Sequence, residues 1–241
     1  MKAMILAAGL GTRLRPWTLA HPKALVPVGG IPMLERVILS LRSQGFDHLV
    51  VNIHHFGNQI LEFLSSKDFG VRIDVSDERE QLLDTGGGIV KAGKFLCEDD
   101  EPFLIHNVDI LSDADLGSLM RTHSESEAEA TLLTSVRESS RKLLVNADGH
   151  LAGWKNLSTL ETRPSGITPD DYDKEVAFSG IHVMSPSIVE KMALINDKSP
   201  FPIMDYYLNN VGKDDIRCQI MDFRLIDIGK PETLEIANSL F

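Results

Sequence analysis

The chain is short of the residues that mark several common protein classes. Cysteine occurs twice in 241 residues, at Cys97 and Cys218, too far apart and too unpatterned for a disulfide framework or a zinc site. Such sparing use fits a reducing, cytoplasmic compartment. Positive charge is in deficit: 24 Lys and Arg stand against 35 Asp and Glu, a formal net charge of −11. This argues against nucleic acid or an anionic membrane as the main partner. No apolar run approaches the ~20 residues of a membrane span, and the stretch Met1 to Leu6 is too short for a signal peptide. Internal repeats and a second-domain boundary are missing too. The pattern predicts one domain over 1–241, with no appended regulatory domain. Composition is otherwise ordinary, at 43% hydrophobic and 24% charged residues, enough for one sizeable core.

Against these absences stands one dense stretch near the start, Met4-Ile5-Leu6-Ala7-Ala8-Gly9-Leu10-Gly11-Thr12-Arg13-Leu14-Arg15-Pro16. A short apolar run stops at small residues, and Gly9 and Gly11 then bracket a turn. Glycine admits positive φ and lets backbone N–H groups approach an oxygen closely. Arg13 and Arg15 add forked donors suited to phosphate, and Lys23 in His21-Pro22-Lys23-Ala24-Leu25 adds a compact, mobile cation. The loop reads as a phosphate cradle. It lacks the Gly-Lys-Ser/Thr of a Walker loop and the third glycine of the dinucleotide fingerprint.

Periodicity predicts an α/β fold. Apolar residues at Leu34, Val37, Ile38 and Leu41 mark a helix that Gly45 stops. A buried strand at 48–53, a helix at 57–64, a strand at 71–75, a helix at 87–95, a strand at 102–106 and a helix at 116–123 follow. This alternation implies a Rossmann-like, mainly parallel sheet with helices on both faces, its ligands beyond the carboxyl ends of the strands. From residue 130 the pattern turns to strands at 131–135, 142–146 and 150–154, a small antiparallel insertion. The Ser-, Pro- and acid-rich stretch 157–174 reads as a mobile loop or lid. A strand at 177–183 returns to the sheet, and helices at 202–211 and 231–240 flank a strand at 223–228.

Several positions carry both a structural and a chemical reading. Gly86, Gly87 and Gly88 form either a helix entry or a floor under a flat ring, since three glycines are costly without a close approach. Asp109 ends an apolar strand, where a carboxylate suits Mg²⁺ or caps a helix. Asp227, before Gly229 and Pro231, either serves a turn or provides a second carboxylate. Gly180 is either an ordinary strand glycine or room for a ligand. His54, His55 and His182 have no third ligand at metal spacing and read as structural, and the acidic run at 98–101 as a solvated turn.

The segments Gly9-Leu10-Gly11-Thr12-Arg13-Leu14-Arg15-Pro16 and Pro22-Lys23-Ala24-Leu25-Val26-Pro27-Val28-Gly29-Gly30-Ile31-Pro32-Met33-Leu34 resemble the signature of the sugar-1-phosphate nucleotidylyltransferases. Asp84-Thr85-Gly86-Gly87-Gly88 is most similar to the branch that holds N-acetylmuramate 1-phosphate uridylyltransferase and heptose 1-phosphate guanylyltransferase. Two departures are Ala24, where Pro is more frequent, and Val108, where the family has Gly.

The resemblance implies a nucleotide-diphospho-sugar transferase fold, with a nucleoside triphosphate and a sugar 1-phosphate as substrates. It assigns Ala8, Gly9, Gly11, Thr12, Arg13, Lys23, Gly86 and Gly87 to the nucleotide, with Glu80 or Gln81 reading the base. Arg13, Lys23 and Asp109 become catalytic, and Asp109 and Asp227 the Mg²⁺ pair. Asn107 and Gly180 fall to the sugar phosphate, with Lys155 or Arg163 as its cation. Cytidylyl transfer to a small alcohol phosphate and a non-catalytic nucleotide-sugar sensor are the alternatives.

Overall fold

The computed structural model describes residues 1–195 and 199–240. Strand β1 (Lys2–Leu6) opens the chain, and three short helical turns lead to the hairpin of β2 (Pro27–Val28) and β3 (Ile31–Pro32). Then come α1 (Met33–Ser43), β4 (His48–Ile53), α2 (Gly57–Ser65), β5 (Arg72–Asp77), α3 (Asp84–Leu96), β6 (Phe103–Asn107), the short β7 (Ile110–Ser112) and α4 (Leu116–Ser124). β1 lies between β4 and β6, parallel to both, and β5 extends the parallel core beyond β4.

The core strands are apolar on both faces because both faces are covered. Along β1, Ala3 and Ile5 pack with Leu34, Ile38, Ile60 and Leu119 of α1, α2 and α4. Met4, pointing the other way, packs with Ile89, Ala92 and Leu96 of α3. The same alternation divides Leu49 and Val51 from Val50 in β4.

The second half contributes β8 (Ala130–Ser135), β9 (Arg141–Val145), β10 (Leu151–Asn156), β11 (Thr162–Arg163) and the long β12 (Lys174–Met184). After them come α5 (Pro186–Ile195), α6 (Ile203–Asn209), β13 (Ile216–Ile220), β14 (Leu225–Asp227) and α7 (Pro231–Leu240). The sheet order is β11-β10-β9-β12-β6-β1-β4-β5, with β8 on β12 and β13 on β8. β12 joins the two halves. Its start pairs with β9 and its end pairs antiparallel with β6, while β8 runs beside it with a register shift between Phe178 and His182. Gly180 sits in that shift with φ +78°, and a Cβ there would lie 2.7 Å from Asn107 Nδ2, so glycine is required.

The mixed α/β architecture matches the expected one, with local differences. β13 and α5 are additions. The first is five alternating residues parallel to β8, and the second starts on Pro186, a residue preorganised for a first turn. The stretch 157–174 is partly regular: β11 pairs with β10, and Thr168 and Asp171 cap each other across a turn at Pro169–Asp171. α3 begins at Asp84, which puts the three glycines inside the helix. Among the described residues no helix is long and apolar enough to cross a membrane.

One core residue makes stability depend on pH. His182 is buried, its ring 5.7 Å from those of both Phe178 and Tyr207, and neither ring nitrogen has a hydrogen-bond partner among the described residues. Burial pushes its pKa from 6.5 down to about 3. Below pH 6.5 the unfolded chain takes up a proton that the folded one refuses, so the fold loses about 1.4 kcal/mol per pH unit from this residue. His182→Leu removes that slope. Its unfolding free energy relative to wild type should improve by about 2 kcal/mol between pH 7.5 and pH 5, measured by urea denaturation. A gap that does not change with pH contradicts the assignment.

Candidate active site

The carboxyl ends of β1, β4 and β6 converge on one cavity of about 260 Å³. Leu6, Ala8, Gly9, Lys23, Asn52, Leu82, Thr85, Asn107 and Asp109 are among its lining residues. The phosphate-cradle loop forms its wall for a local steric reason. Gly11 is left-handed, φ +61°, and a Cβ there would meet Lys23 Cβ at 2.8 Å and Thr18 Cγ2 at 2.9 Å. Thr18 Oγ1 donates to the Gly11 carbonyl at 2.8 Å and closes the turn. A Cβ on Gly9 would have nothing within 4 Å, so the space beside it is free for a ligand. Thr12–Leu14 form one helical turn that leaves Thr12 and Arg13 exposed.

A buried polar pair fixes where this loop begins. Asn52 Oδ1 accepts from the N–H groups of Ala7 and Ala8 at 2.6 and 3.3 Å, and Asn52 Nδ2 donates to Glu78 Oε1 at 2.7 Å. Glu78 Oε2 accepts from Leu83 N at 3.2 Å. Glu78 is fully buried. Burial pushes its carboxyl pKa up, against the opposing pull of the bonds from Asn52 and Leu83. Sequence reading passed over both residues. The available signal was an Asn inside the otherwise apolar run Leu49-Val50-Val51-Asn52-Ile53, a position that needs a partner when buried.

The same pair crowds Gly88, and neighbouring groups crowd Gly86 and Gly87. A Cβ on Gly88 would lie 2.8 Å from Glu78 Oε1 and 3.1 Å from Asn52 Nδ2. On Gly86 it would fall 2.2 Å from the Phe201 ring, and on Gly87 3.0 Å from Leu83 Cβ. The N–H groups of Gly86 and Gly87 are directed to the Phe201 carbonyl, at 2.9 and 3.4 Å. The chain's own atoms therefore fill the space that the glycines open. The cavity edge here is Leu82, Asp84 and Thr85, while Glu80 is exposed and stands outside that lining.

The backbone segments that carry the two aspartates are paired. β14 pairs antiparallel with β7, setting Asp227 opposite Ile110, and Ile228 N donates to the Asp109 carbonyl at 2.8 Å. Lys23 Nζ donates to Asp109 Oδ2 in a partly buried ion pair. Asp227 Oδ1 accepts from Gly229 N at 2.8 Å. A Cβ on Gly229 would come within 2.5 Å of Arg13 Nη2 and 2.7 Å of Asp227 Oδ1, so the Arg13 guanidinium is packed over this turn. Val108 is buried in the core beside the first cavity. Among the described residues no group of three His, Cys, Asp or Glu is placed to hold a metal. Two carboxylates with all-oxygen chemistry fit Mg²⁺ provided that phosphate and water complete its shell.

A second cavity of about 430 Å³ adjoins this point, sharing Asn107 with the first and lined also by Asp227 and Gly180. Its cations are Arg137, Arg141 and Arg163, and its flat wall is Trp154. Arg163 Nη1 is paired with Asp205 Oδ1 at 2.6 Å. Lys155, next to Trp154 on β10, does not line it. Successive strand residues face opposite ways, and Lys155 Nζ donates to the Glu175 carboxylate, which raises the lysine's pKa and lowers that of Glu175. A third cavity, about 480 Å³, lies beside α1 and β7 and touches none of the phosphate-cradle residues.

Asn52→Ala strips the acceptor from two backbone donors and strands a buried carboxylate, which should cost about 1–3 kcal/mol. Asn52→Asp should cost more, because it sets a second carboxylate against Glu78 and removes the donor. Urea denaturation of both variants tests this ordering, and an Asn52→Asp protein as stable as Asn52→Ala contradicts it.

Comparison with known proteins agrees with this geometry. A family model described as nucleotidyl transferase matches residues 2–239. The mannose-1-phosphate guanyltransferase of Yarrowia lipolytica is 29% identical over 247 residues, spanning 100% of this chain and 64% of that protein. The UTP–glucose-1-phosphate uridylyltransferase of Synechocystis sp. is 30% identical, spanning 95% and 60%. The chain thus covers about three fifths of the length of these curated relatives. Among solved structures, HddC from Yersinia pseudotuberculosis shares the fold with a TM-score of 0.78 at 22% identity, over 100% of this chain and 99% of that one. That protein has also been solved with GMP-PN. With a match running almost end to end, the chain belongs to the nucleotidyl transferase family.

Proposed function

We propose that this protein transfers the nucleotidyl group of a nucleoside triphosphate to a sugar 1-phosphate, giving a nucleoside diphosphate sugar and pyrophosphate, with Mg²⁺ as cofactor. The observation that carries this reading is the pair of adjoining cavities, one lined by Asp109 with Ala8, Gly9 and Lys23 and the other by Asp227 with three arginines, whose aspartates the β7–β14 ladder sets on adjacent backbone segments. The first cavity receives the donor and the second the acceptor. The named activities of the relatives, guanylyl and uridylyl transfer to mannose and glucose 1-phosphates, support the class and leave base and sugar to be assigned.

The chemistry asks for no side-chain nucleophile, since the acceptor phosphate is already an anion. One of its oxygens attacks the α-phosphorus in line, the bond to the bridging oxygen breaks, and pyrophosphate leaves with that electron pair. Lys23, drawn from Asp109 by the incoming phosphates, steadies the α-phosphate, and Arg13 steadies the leaving group. When bound, Mg²⁺ supplies further neutralisation of phosphate charge on Asp109 and Asp227. Free Cys97 and Cys218 are in keeping with a reducing compartment such as the cytoplasm.

Pyrophosphate release across a grid of nucleoside triphosphates and sugar 1-phosphates, with muramate, heptose, glucose and mannose forms included, tests the reading. Turnover in one cell names base and sugar together. Nucleotide binding without release in any cell overturns the transferase in favour of a sensor. In the active combination, Asp109→Asn and Asp227→Asn should each lower kcat on the order of 10²–10³-fold while the fold persists. Undiminished turnover in either variant contradicts the metal pair.

A further inference from the structure

The geometry points to Arg137 as the residue that receives the phosphate of the acceptor, in the role that sequence reading gave to Lys155 or Arg163. This rests on the transferase reading above. Arg137 lies two residues past the end of β8, where the ladder between β8 and β12 shifts register around Gly180. Its Nη2 donates to the Phe178 carbonyl at 2.8 Å, which anchors the guanidinium at the cavity wall. Its Nε is buried and has no hydrogen-bond partner among the described residues. Asp227 acts on it through charge alone, opposing the larger effect of burial, which pulls the arginine's pKa down.

A guanidinium stays protonated at neutral pH, so holding one half-buried with its Nε–H out of water and unused is costly until an anion arrives. The other candidate cations are less available. Arg163 is held by Asp205, Lys155 is held by Glu175 on the opposite face of β10, and Arg141 is exposed beside Glu161 at the same cavity. Arg137 combines a fixed position, an uncommitted donor and a place in the same cavity as Asp227, which is where an attacking phosphate must come to rest. Its planar fork matches phosphate oxygens in a way that a lysine ammonium does not.

Steady-state kinetics with each substrate varied in turn separates this role from a purely structural tie to Phe178. Arg137→Ala should raise KM for the sugar 1-phosphate roughly 30-fold or more and leave KM for the nucleoside triphosphate within about two-fold. Arg137→Lys should fall between it and wild type, and Lys155→Ala should leave both KM values within about two-fold, as for a peripheral ion pair. Thermal unfolding shows whether each variant is folded. If Arg137→Ala is not, Arg137→Lys and Arg137→Gln provide the reading. An unchanged acceptor KM in a folded Arg137 variant, an equal rise in both KM values, or a loss confined to Lys155→Ala overturns the assignment. Wild-type protein without turnover on any acceptor overturns the transferase reading itself, and this assignment with it.

Discussion

The short ladder between β7 and β14 is the constraint around which the candidate site is arranged. It brings Asp109 and Asp227, from opposite halves of the chain, onto adjacent backbone segments where two cavities adjoin. Lys23 pairs with Asp109, the Gly229 N–H bonds Asp227, and the guanidiniums of Arg13 and Arg137 lie close by.

In the proposed reaction the two cavities divide the work, one taking the donor and one the acceptor. On the donor side the backbone of the phosphate-cradle loop is held from below by Asn52, which is held in turn by Glu78, so that Ala7 and Ala8 have one position available to them. On the acceptor side a kink at Gly180 brings β12 against Asn107, and Arg137 is tied to the strand that carries the kink. Both sides rely on glycines for close approach of the chain to itself. The space that a ligand would take lies beside Gly9, where a Cβ would meet nothing within 4 Å.

Legibility in the sequence followed the range of the interactions. The parallel core was readable from period and alternation, because strands buried on both faces leave little choice of residue type. The phosphate-cradle loop was readable because glycine, arginine and lysine at short spacing have a local reason to be there. Asp109 was placed by its strand end, whereas its union with Asp227 came from family resemblance, since nothing in a spacing of more than a hundred residues encodes a ladder. What failed was face and filling. Lys155 and Trp154 are neighbours on one strand, and which of them meets the cavity depends on the twist and pairing of β10. Gly86 and Gly88 do demand close approach, yet the approaching groups are Phe201 and Glu78, which arrive through tertiary packing. Arg137 carried no motif, and only the ladder around Gly180 reveals why it matters.

The central claim is that the protein supplies position and charge, and that acceptor phosphate attacks the nucleotide directly. The stereochemical course at the α-phosphorus tests this most directly, using a nucleoside triphosphate of known α-thiophosphate configuration and the acceptor that turns over. A single in-line displacement inverts that centre, and inversion is the predicted result. Retention would require a covalent nucleotidyl-protein intermediate, hence a side-chain nucleophile, and would contradict the account.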